Sequence, residues 1–410
     1  MPYVRFENVL SDADVALLRE LGRAASDAGG KLWAVGGVVR DALVGNLVAD
    51  IDLTSETPAA ELGPVLTASA GGTIAKLTTF GTLKLSIPQG VIDRTLDLAT
   101  TRTETYAAPS ALPNVAPTDL RSDLARRDFT INAMAASLAP ADFGTVSDLH
   151  GGIADLYAKR VRALHERSFQ DDPTRQLRAV RYATRLGFRI ERRTAVWMRR
   201  DVGHLAALSP ARARHEIERI LDEPTGAKSL RQSWGRGLLA ALHPALGTIE
   251  VRTALATAAR AKLTGMELLG ALIYPLSTAD AEGLIARLGL TKAQQALVRG
   301  VIAGREHEPT LAGAAPSEIA HALGNAPTAA VTAIACVSRD SHVRSALRQY
   351  SRAMVNVRVA MNGREIAALG VAAGPPVGRA LAALRSAELD GKVRTHAGAV
   401  RFIRRRVQEA

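Results

Sequence analysis

Between Lys31 and about Ala139 the chain reads as short β-prone runs separated by turns and helical patches: Leu32 to Val35, Ile51 to Thr54, Leu83 to Ile87 and Thr95 to Thr101. Beyond Gly152 the texture changes. Almost every segment there carries helical periodicity, broken by Gly and Pro at "RLGF", "LSPARAR", "DEPTG", "LHPALG" and "GVAAGPP". A segment with the period of a strand does not sit as a helix, nor the reverse, so this switch constrains the fold more than any other feature. It predicts an α/β or α+β head followed by an all-helical remainder. The length agrees: 410 residues exceed one compact core, and about 150 residues per domain gives about two to four domains. Ahead of the head, roughly 15 residues after Ser11 read as a helix with Val15, Leu17, Leu18 and Leu21 on its apolar face. The Ala-rich region from Thr310 to Ala333 is helix-prone, and no repeat recurs at a fixed period.

Lys and Arg number 52 against 40 Asp and Glu, a net charge of +12, with Arg far commoner than Lys. Guanidinium forks match phosphate oxygens, so a polyanionic partner is one reading; a solvated basic surface in an Arg- and Ala-favouring genome is the other. The same two readings apply to the terminal "RFIRRR" (Arg401 to Arg406): a solvated helix face, or a contact to nucleic-acid phosphates. The single cysteine, Cys336, excludes an intrachain disulfide and a thiolate metal cluster, and its apolar run "AIACV" reads as core. No apolar run approaches the roughly 20 residues that span a bilayer. The N-terminus also lacks the basic-then-apolar plan of a signal peptide, so the expectation is a cytoplasmic protein without a membrane partner.

The stretch "AVGGVVRDALVGNLVADIDLTSE" (Ala34 to Glu56) carries the chemistry. In "DIDLT", period-two alternation sends Ile51 and Leu53 to one face and Asp50 and Asp52 to the other. Converging carboxylates repel unless a cation sits between them, and hard oxygen ligands suit Mg²⁺. Asp97, flanked by Leu96 and Leu98 in "RTLDLATTR", leaves the apolar face of its own run in the same way. Acidic residues on neighbouring strands can hold two Mg²⁺ ions about 3.5–4 Å apart, which serves phosphoryl transfer. An isolated D-x-D is more often a surface strand; here the Gly36-Gly37 turn, opening a helical "VVRDALVG" with Arg40 close by, brings backbone N–H groups towards a phosphate. A dinucleotide-binding loop would need G-x-G-x-x-G, which is missing.

These residues, together with "RRDFTINAMA" (Arg126 to Ala135), "LHGGIADL" (Leu149 to Leu156) and "DDPTRQLRAVRYATRLGF" (Asp171 to Phe188), closely resemble the bacterial class II tRNA nucleotidyltransferases, which include CCA-adding enzymes and poly(A) polymerase relatives. The motifs keep the family's order over about residues 30 to 220. The resemblance implies a polymerase-β-like nucleotidyltransferase head followed by all-helical neck, body and tail domains. Mapped onto this chain they give a head at 1–155, a neck with the nucleotide-reading motif at 156–222, a body at 223–330 and a tRNA-binding tail at 331–410. It implies that Asp50 and Asp52 bind the metals, with Asp97 at the third acidic position, and that Gly37 and Arg40 contact the nucleotide triphosphate. It further implies Arg127 at the nucleotide, Asp128 near its ribose and Asn132 in support.

In "DDPTRQLRAVR" the family pattern is Glu-Asp-x-x-Arg, and Asp171 stands one methylene short of the first acid while Asp172 and Arg175 are intact. The reason for that pair is donor and acceptor logic. Cytosine and adenine both present an amino donor beside an unprotonated ring nitrogen, and uracil and guanine present the reverse. A carboxylate accepting from the amino group and a guanidinium donating to the ring nitrogen therefore select CTP and ATP without a template. Arg175, Arg178 and Arg181 recur every third residue along one helix stripe, suited to base, triphosphate and acceptor end. The function implied is CMP and AMP addition to the 3′ end of tRNA, bound through its acceptor arm, with Mg²⁺ as cofactor and no protein partner. A CC-adding or A-adding enzyme, a poly(A) polymerase and a non-catalytic RNA-binding module are the alternatives. Between Arg102 and Arg126 a Pro-, Ala- and Asn-containing segment reads as a mobile loop; the resemblance implies that such a loop assists the change from cytidine to adenosine addition, and its nearly full length favours CCA.

Overall fold

The computed structural model describes every residue except 1, 48–49, 78–80, 90–92, 325, 357–360 and 409–410. Packing divides the chain into two compact units, Met1–Leu208 and Ser209–Ala410. Residues 156–208, expected to start a neck, therefore lie in the same unit as the head.

In the first unit, helix α1 (Asp12–Asp27) starts where Ser11 accepts from the Asp14 N–H, an N-cap that satisfies one of the first free amides. The next elements are β1 (Leu32–Val35), α2 (Gly37–Leu43), β2 (Ile51–Ser55), α3 (Ala59–Ser69), β3 (Thr73–Leu77), β4 (Leu83–Ile87) and β5 (Arg94–Thr100). They are followed by β6 (Arg102–Thr105), β7 (Asn114–Pro117), α4 (Leu120–Ala125), β8 (Met134–Ser137) and β9 (Val146–Asp148). The seven-stranded sheet runs β3-β4-β5-β2-β1-β8-β9, parallel only between β2 and β5.

Alternation works as the sequence predicts. Ile51 and Leu53 of β2 and Leu96 and Leu98 of β5 are buried on the face that α3 helps to cover. Each contributes about 1.5–3 kcal/mol by leaving water. Their burial holds the register, because a one-residue slip would turn all four outward. Asp52 and Asp97 are consequently left on the other face, directly paired across the β2–β5 ladder, with Lys84 of β4 opposite Asp97.

The segment expected to be a mobile loop is ordered in part as an antiparallel hairpin, β6 with β7, Arg102 facing Pro117 and Thr105 facing Asn114, followed by α4. There follow α5 (Gly152–Tyr157), β10 (Arg160–Val161), α6 (Ser168–Asp171), α7 (Thr174–Leu186), ending at Gly187 in the left-handed conformation, β11 (Arg189–Ile190) and α8 (Arg192–Arg200). The stretch beyond Gly152, expected to be all-helical, thus also holds two short strands, β10 and β11, paired in parallel.

The second unit is helical throughout its assigned elements. Its helix Pro210–Leu221 begins with Pro at the first turn behind Ser209, as the "LSPARAR" stretch predicts. Leu230, Leu239, Leu255, Leu269, Leu272, Leu297 and Ile334 are among its buried residues, and a separate cluster of Met361, Ile366, Leu384 and Ile403 gathers its C-terminal helices. Along the helix His396–Gln408, Ile403 turns inward while Arg401, Arg404, Arg405 and Arg406 are exposed. Cys336, expected in the core, is only half-buried. Among the described residues no single helix is long and apolar enough to cross a membrane.

Candidate active site

A cleft of about 400 Å³ in the first unit is lined by residues from separate parts of the sequence: Gly36 and Gly37 at the entry to α2, Asp52 of β2, Arg102 and Glu104 of β6, Arg126, Arg127, Asp128 and Asn132 beyond α4, and Asp172, Arg175, Arg178 and Tyr182 around α7. Gly36 enters α2 with φ of 74° and ψ of −121°, a conformation that only glycine adopts without strain. A Cβ there would also stand 3.2 Å from Nη1 of Arg127.

Asp52 opens onto the cleft, yet protein atoms crowd its carboxylate. That burial pushes its pKa above the ordinary carboxylate value, repulsion from Asp97 and Asp50 adds to the effect, and Arg127 and Lys84 oppose it. Asp50 precedes β2 and is exposed. Asp97 does not line the cleft; its Oδ1 accepts from Nζ of Lys84 at 2.8 Å. Among the described residues no three His, Cys, Asp or Glu side chains form a ready metal shell. The donor set still suits a hard cation, since Mg²⁺ is ordinarily held by one or two carboxylates with substrate phosphates and water filling the remaining positions.

The wall after α4 is organised by Asp123, which the sequence reading passed over. Its carboxylate is fully buried. Oδ1 accepts from Nη2 and Nε of Arg126 at 2.6 and 3.0 Å and from the Arg102 N–H at 3.2 Å; Oδ2 accepts from Nη2 and Nε of Arg127 at 2.9 and 3.2 Å. Burial raises the Asp123 pKa, but Arg127 and Arg126 outweigh it and hold the group below the ordinary value. Arg126 also donates to Glu104 Oε1 at 2.7 Å, and Tyr106, just beyond β6, donates to Glu104 Oε2 at 2.8 Å, so the hairpin is tied to the cleft wall.

Asp128 is committed on both oxygens: Oδ1 accepts from the Phe129 N–H at 2.8 Å and from Nδ2 of Asn132 at 3.0 Å, and Oδ2 accepts from Nη2 of Arg178 at 2.6 Å. Burial works against its charge, while Arg178 and Asn132 lower its pKa overall. Asn132 in turn accepts from Nη1 of Arg40 at 2.6 Å. Arg40 itself does not line the cleft. It is buried under Gly37 and grips Asp41 through Nε and Nη2 at 2.9 and 2.6 Å, so the side chain expected at the triphosphate stands behind the cleft floor.

Asp172 and Arg175 meet at the start of α7. Asp172 Oδ1 accepts from the Thr174 N–H at 2.9 Å and its hydroxyl at 2.6 Å; Arg175, buried, donates to Ser168 Oγ at 2.9 Å and to the Arg126 carbonyl at 2.7 Å. Both are therefore oriented before any base arrives. Arg178 reaches the cleft but Arg181 does not: it is buried 4.8 Å from the Tyr182 ring centre, and Arg185 approaches the same ring at 5.0 Å. Tyr182, which packs edge-on against Phe129, is a cleft residue that composition did not single out; its place one helical turn beyond Arg178 was the available signal.

Residues 32–162 match the poly A polymerase head domain, and 187–249 match the probable RNA and SrmB-binding site of polymerase A. The chain is 31% identical over 390 residues to the CC-adding tRNA nucleotidyltransferase of Deinococcus radiodurans, covering 94% of this chain and 92% of that protein. The chain belongs to the tRNA nucleotidyltransferase family. Within it, the A-adding tRNA nucleotidyltransferase of Geobacter sulfurreducens is 39% identical over 234 residues, 57% of this chain and 26% of its own length. The chain spans about a quarter to a half of the A-adding relatives it matches. The solved structure of the Thermotoga maritima CCA-adding enzyme complexed with tRNA shares the fold of this tRNA nucleotidyltransferase with a TM-score of 0.74 at 25% identity, over 99% of this chain and 100% of that one.

Proposed function

We propose that this tRNA nucleotidyltransferase adds CMP and AMP from CTP and ATP to the 3′ end of tRNA without a template, releasing pyrophosphate. One observation carries the reading: a single cleft unites Asp52, beside Asp97 and Asp50, with the Asp172–Arg175 pair. Asp50 and Asp52, with Asp97 adjoining, would hold Mg²⁺, which would supply activation of the terminal hydroxyl and neutralisation of charge on the triphosphate. Arg127 and Arg178 offer guanidinium groups to that triphosphate, and the bare backbone at Gly36 and Gly37 lets it approach. Asp172 accepts from the amino group of cytosine or adenine while Arg175 donates to the ring nitrogen, an exchange uracil and guanine cannot complete without leaving buried groups unpaired. Arg40, Asn132 and Asp128 act as positioning residues that hold the floor and aim Arg178. The tRNA is bound by shape and phosphate contacts, since its acceptor arm and not its sequence is what all substrates share, and the setting is the cytoplasm.

The relatives bearing CC-adding and A-adding names keep a second reading in play, addition of only part of the terminus. The hairpin between Arg102 and Pro117, present and anchored through Glu104, favours the complete sequence. The test offers tRNAs ending at the discriminator base, after one C and after CC to the protein with CTP, ATP or both. Extension of all three, with ATP added only after CC, is expected. A CC-ended tRNA that takes no ATP makes the enzyme CC-adding, and extension of that tRNA alone makes it A-adding.

A further inference from the structure

An arginine-lined concavity of the Ser209–Ala410 unit belongs to no motif of the head. It encloses about 720 Å³, within the roughly 300–1,000 Å³ usual for ligand sites. Arg260, Arg305, Arg339, Arg344 and Arg348 line it, against two carboxylates, Glu250 and Glu308. Glu308 is engaged, its Oε1 accepting from the Tyr274 hydroxyl at 2.6 Å.

Two of the arginines are braced by backbone. Arg344 Nη1 donates to the carbonyls of Ser338 and Arg339 at 2.9 Å each, and Arg305 Nη1 donates to the carbonyls of Tyr274, at 2.7 Å, and Leu276. Carbonyl partners fix a guanidinium without cancelling its charge, and leave its other N–H groups to donate elsewhere. The guanidinium groups of Arg339 and Arg348 make no hydrogen bond or ion pair among the described residues. Like charges gathered in a concavity repel one another and focus a positive potential; such an arrangement is relieved by an anion with several oxygens.

We propose that this pocket binds an anion carrying two or more phosphate groups, remote in sequence from the catalytic carboxylates. Two sources share that chemistry, consecutive phosphates of a bound RNA backbone and a free oligophosphate such as pyrophosphate. The RNA source rests on the proposed function, and the free oligophosphate does not. The pocket contains its own reporter, because Cys336, the chain's single cysteine, lines it; burial pushes its thiol up, and the charges of Arg348 and Arg260 oppose that rise. An anion seated there blocks the thiol and disfavours its thiolate, so alkylation slows.

The experiment follows maleimide labelling of Cys336 in the full chain at constant ionic strength with EDTA present, adding inorganic pyrophosphate in one arm and tRNA in another. Protection of about tenfold or more in at least one arm is expected. Pyrophosphate protection assigns the free oligophosphate, and protection by tRNA alone assigns the backbone. R339A/R348A, two exposed positions, should abolish the protection and R339K/R348K should restore part of it. Failure of both arms, or protection that survives in R339A/R348A, overturns the pocket. Incorporation into tRNA is measured in parallel. Incorporation without protection removes the pocket and leaves the proposed function; protection without incorporation does the opposite.

Discussion

Replacing Asp123 by Asn tests how the cleft wall is held. The change keeps shape and removes one buried negative charge from between two guanidinium groups. Breaking a buried ion pair costs about 3–5 kcal/mol. Arg126 keeps Glu104 and the Arg102 carbonyl at 2.7 and 2.8 Å, and both guanidinium groups reach some water, so the lower end, about 3 kcal/mol, applies. For a unit the size of Met1–Leu208, at about 2–4 °C per kcal/mol, the thermal transition of that unit should fall by about 6–12 °C. The pH dependence has a definite sign. Asp123 has a folded pKa below its ordinary value, so its stabilisation is complete above the unfolded pKa near about 3.9 and is lost as pH falls through the folded value. The gap between wild type and Asp123→Asn is therefore constant from pH 7 to about 5 and narrows below about 4. Arg127, whose two bonds to a side chain both go to Asp123, should lose its aim, so the turnover number for incorporation falls as well. Calorimetry from pH 3.5 to 7 and single-turnover incorporation measure both effects. A transition within about 1 °C of wild type, with normal incorporation, would refute the reasoning.

Asp50→Asn and Asp52→Asn should each abolish incorporation and leave tRNA binding intact in a filter assay; activity within about tenfold of wild type in both sinks the metal assignment. Because Asp52 holds its proton to a higher pH than usual, Mn²⁺ affinity measured by spin resonance should weaken on acidification, starting above the ordinary aspartate range. Asp172→Ala removes the acceptor for the amino group and should raise the ratio of UTP to CTP use. An unchanged ratio with lower overall activity would make Asp172 structural. Gly36→Ala forces an L side chain into φ of 74° against Arg127, and should cost about 1–3 kcal/mol in a urea melt, with reduced incorporation; a neutral result would contradict the strained turn.

Local pattern made the strands of the candidate site legible. Leu85, Leu96 and Leu98 alternate with Lys84, Ser86 and Asp97, and a period of two needs no knowledge of the partner strand to say which face is wet. The opposite case is β8, whose "MAAS" is small, uniformly buried and patternless, so it reads as nothing in particular until β1 and β9 pair with it. The hairpin β6–β7 escaped for a related reason: every residue of β7 is exposed, and it is held by cross-strand pairing with no apolar stripe to announce it.

By itself the sequence determined a mixed head, a largely helical texture after Gly152 and the polar face carrying Asp52 and Asp97, because each follows from a period within one segment, whereas the pairing of Asp172 with Arg175 was legible only through the resemblance to the family. Tertiary structure alone decided which charges face the cleft and which face protein. Arg40 turned to an asparagine 92 residues away, and Arg178 to an aspartate 50 residues away, while Asp123 became the hub of the wall and Arg181 was buried against Tyr182. A guanidinium will satisfy any acceptor within reach, and a buried one must, so its partner is set by what the fold brings opposite it and not by its neighbours in the chain.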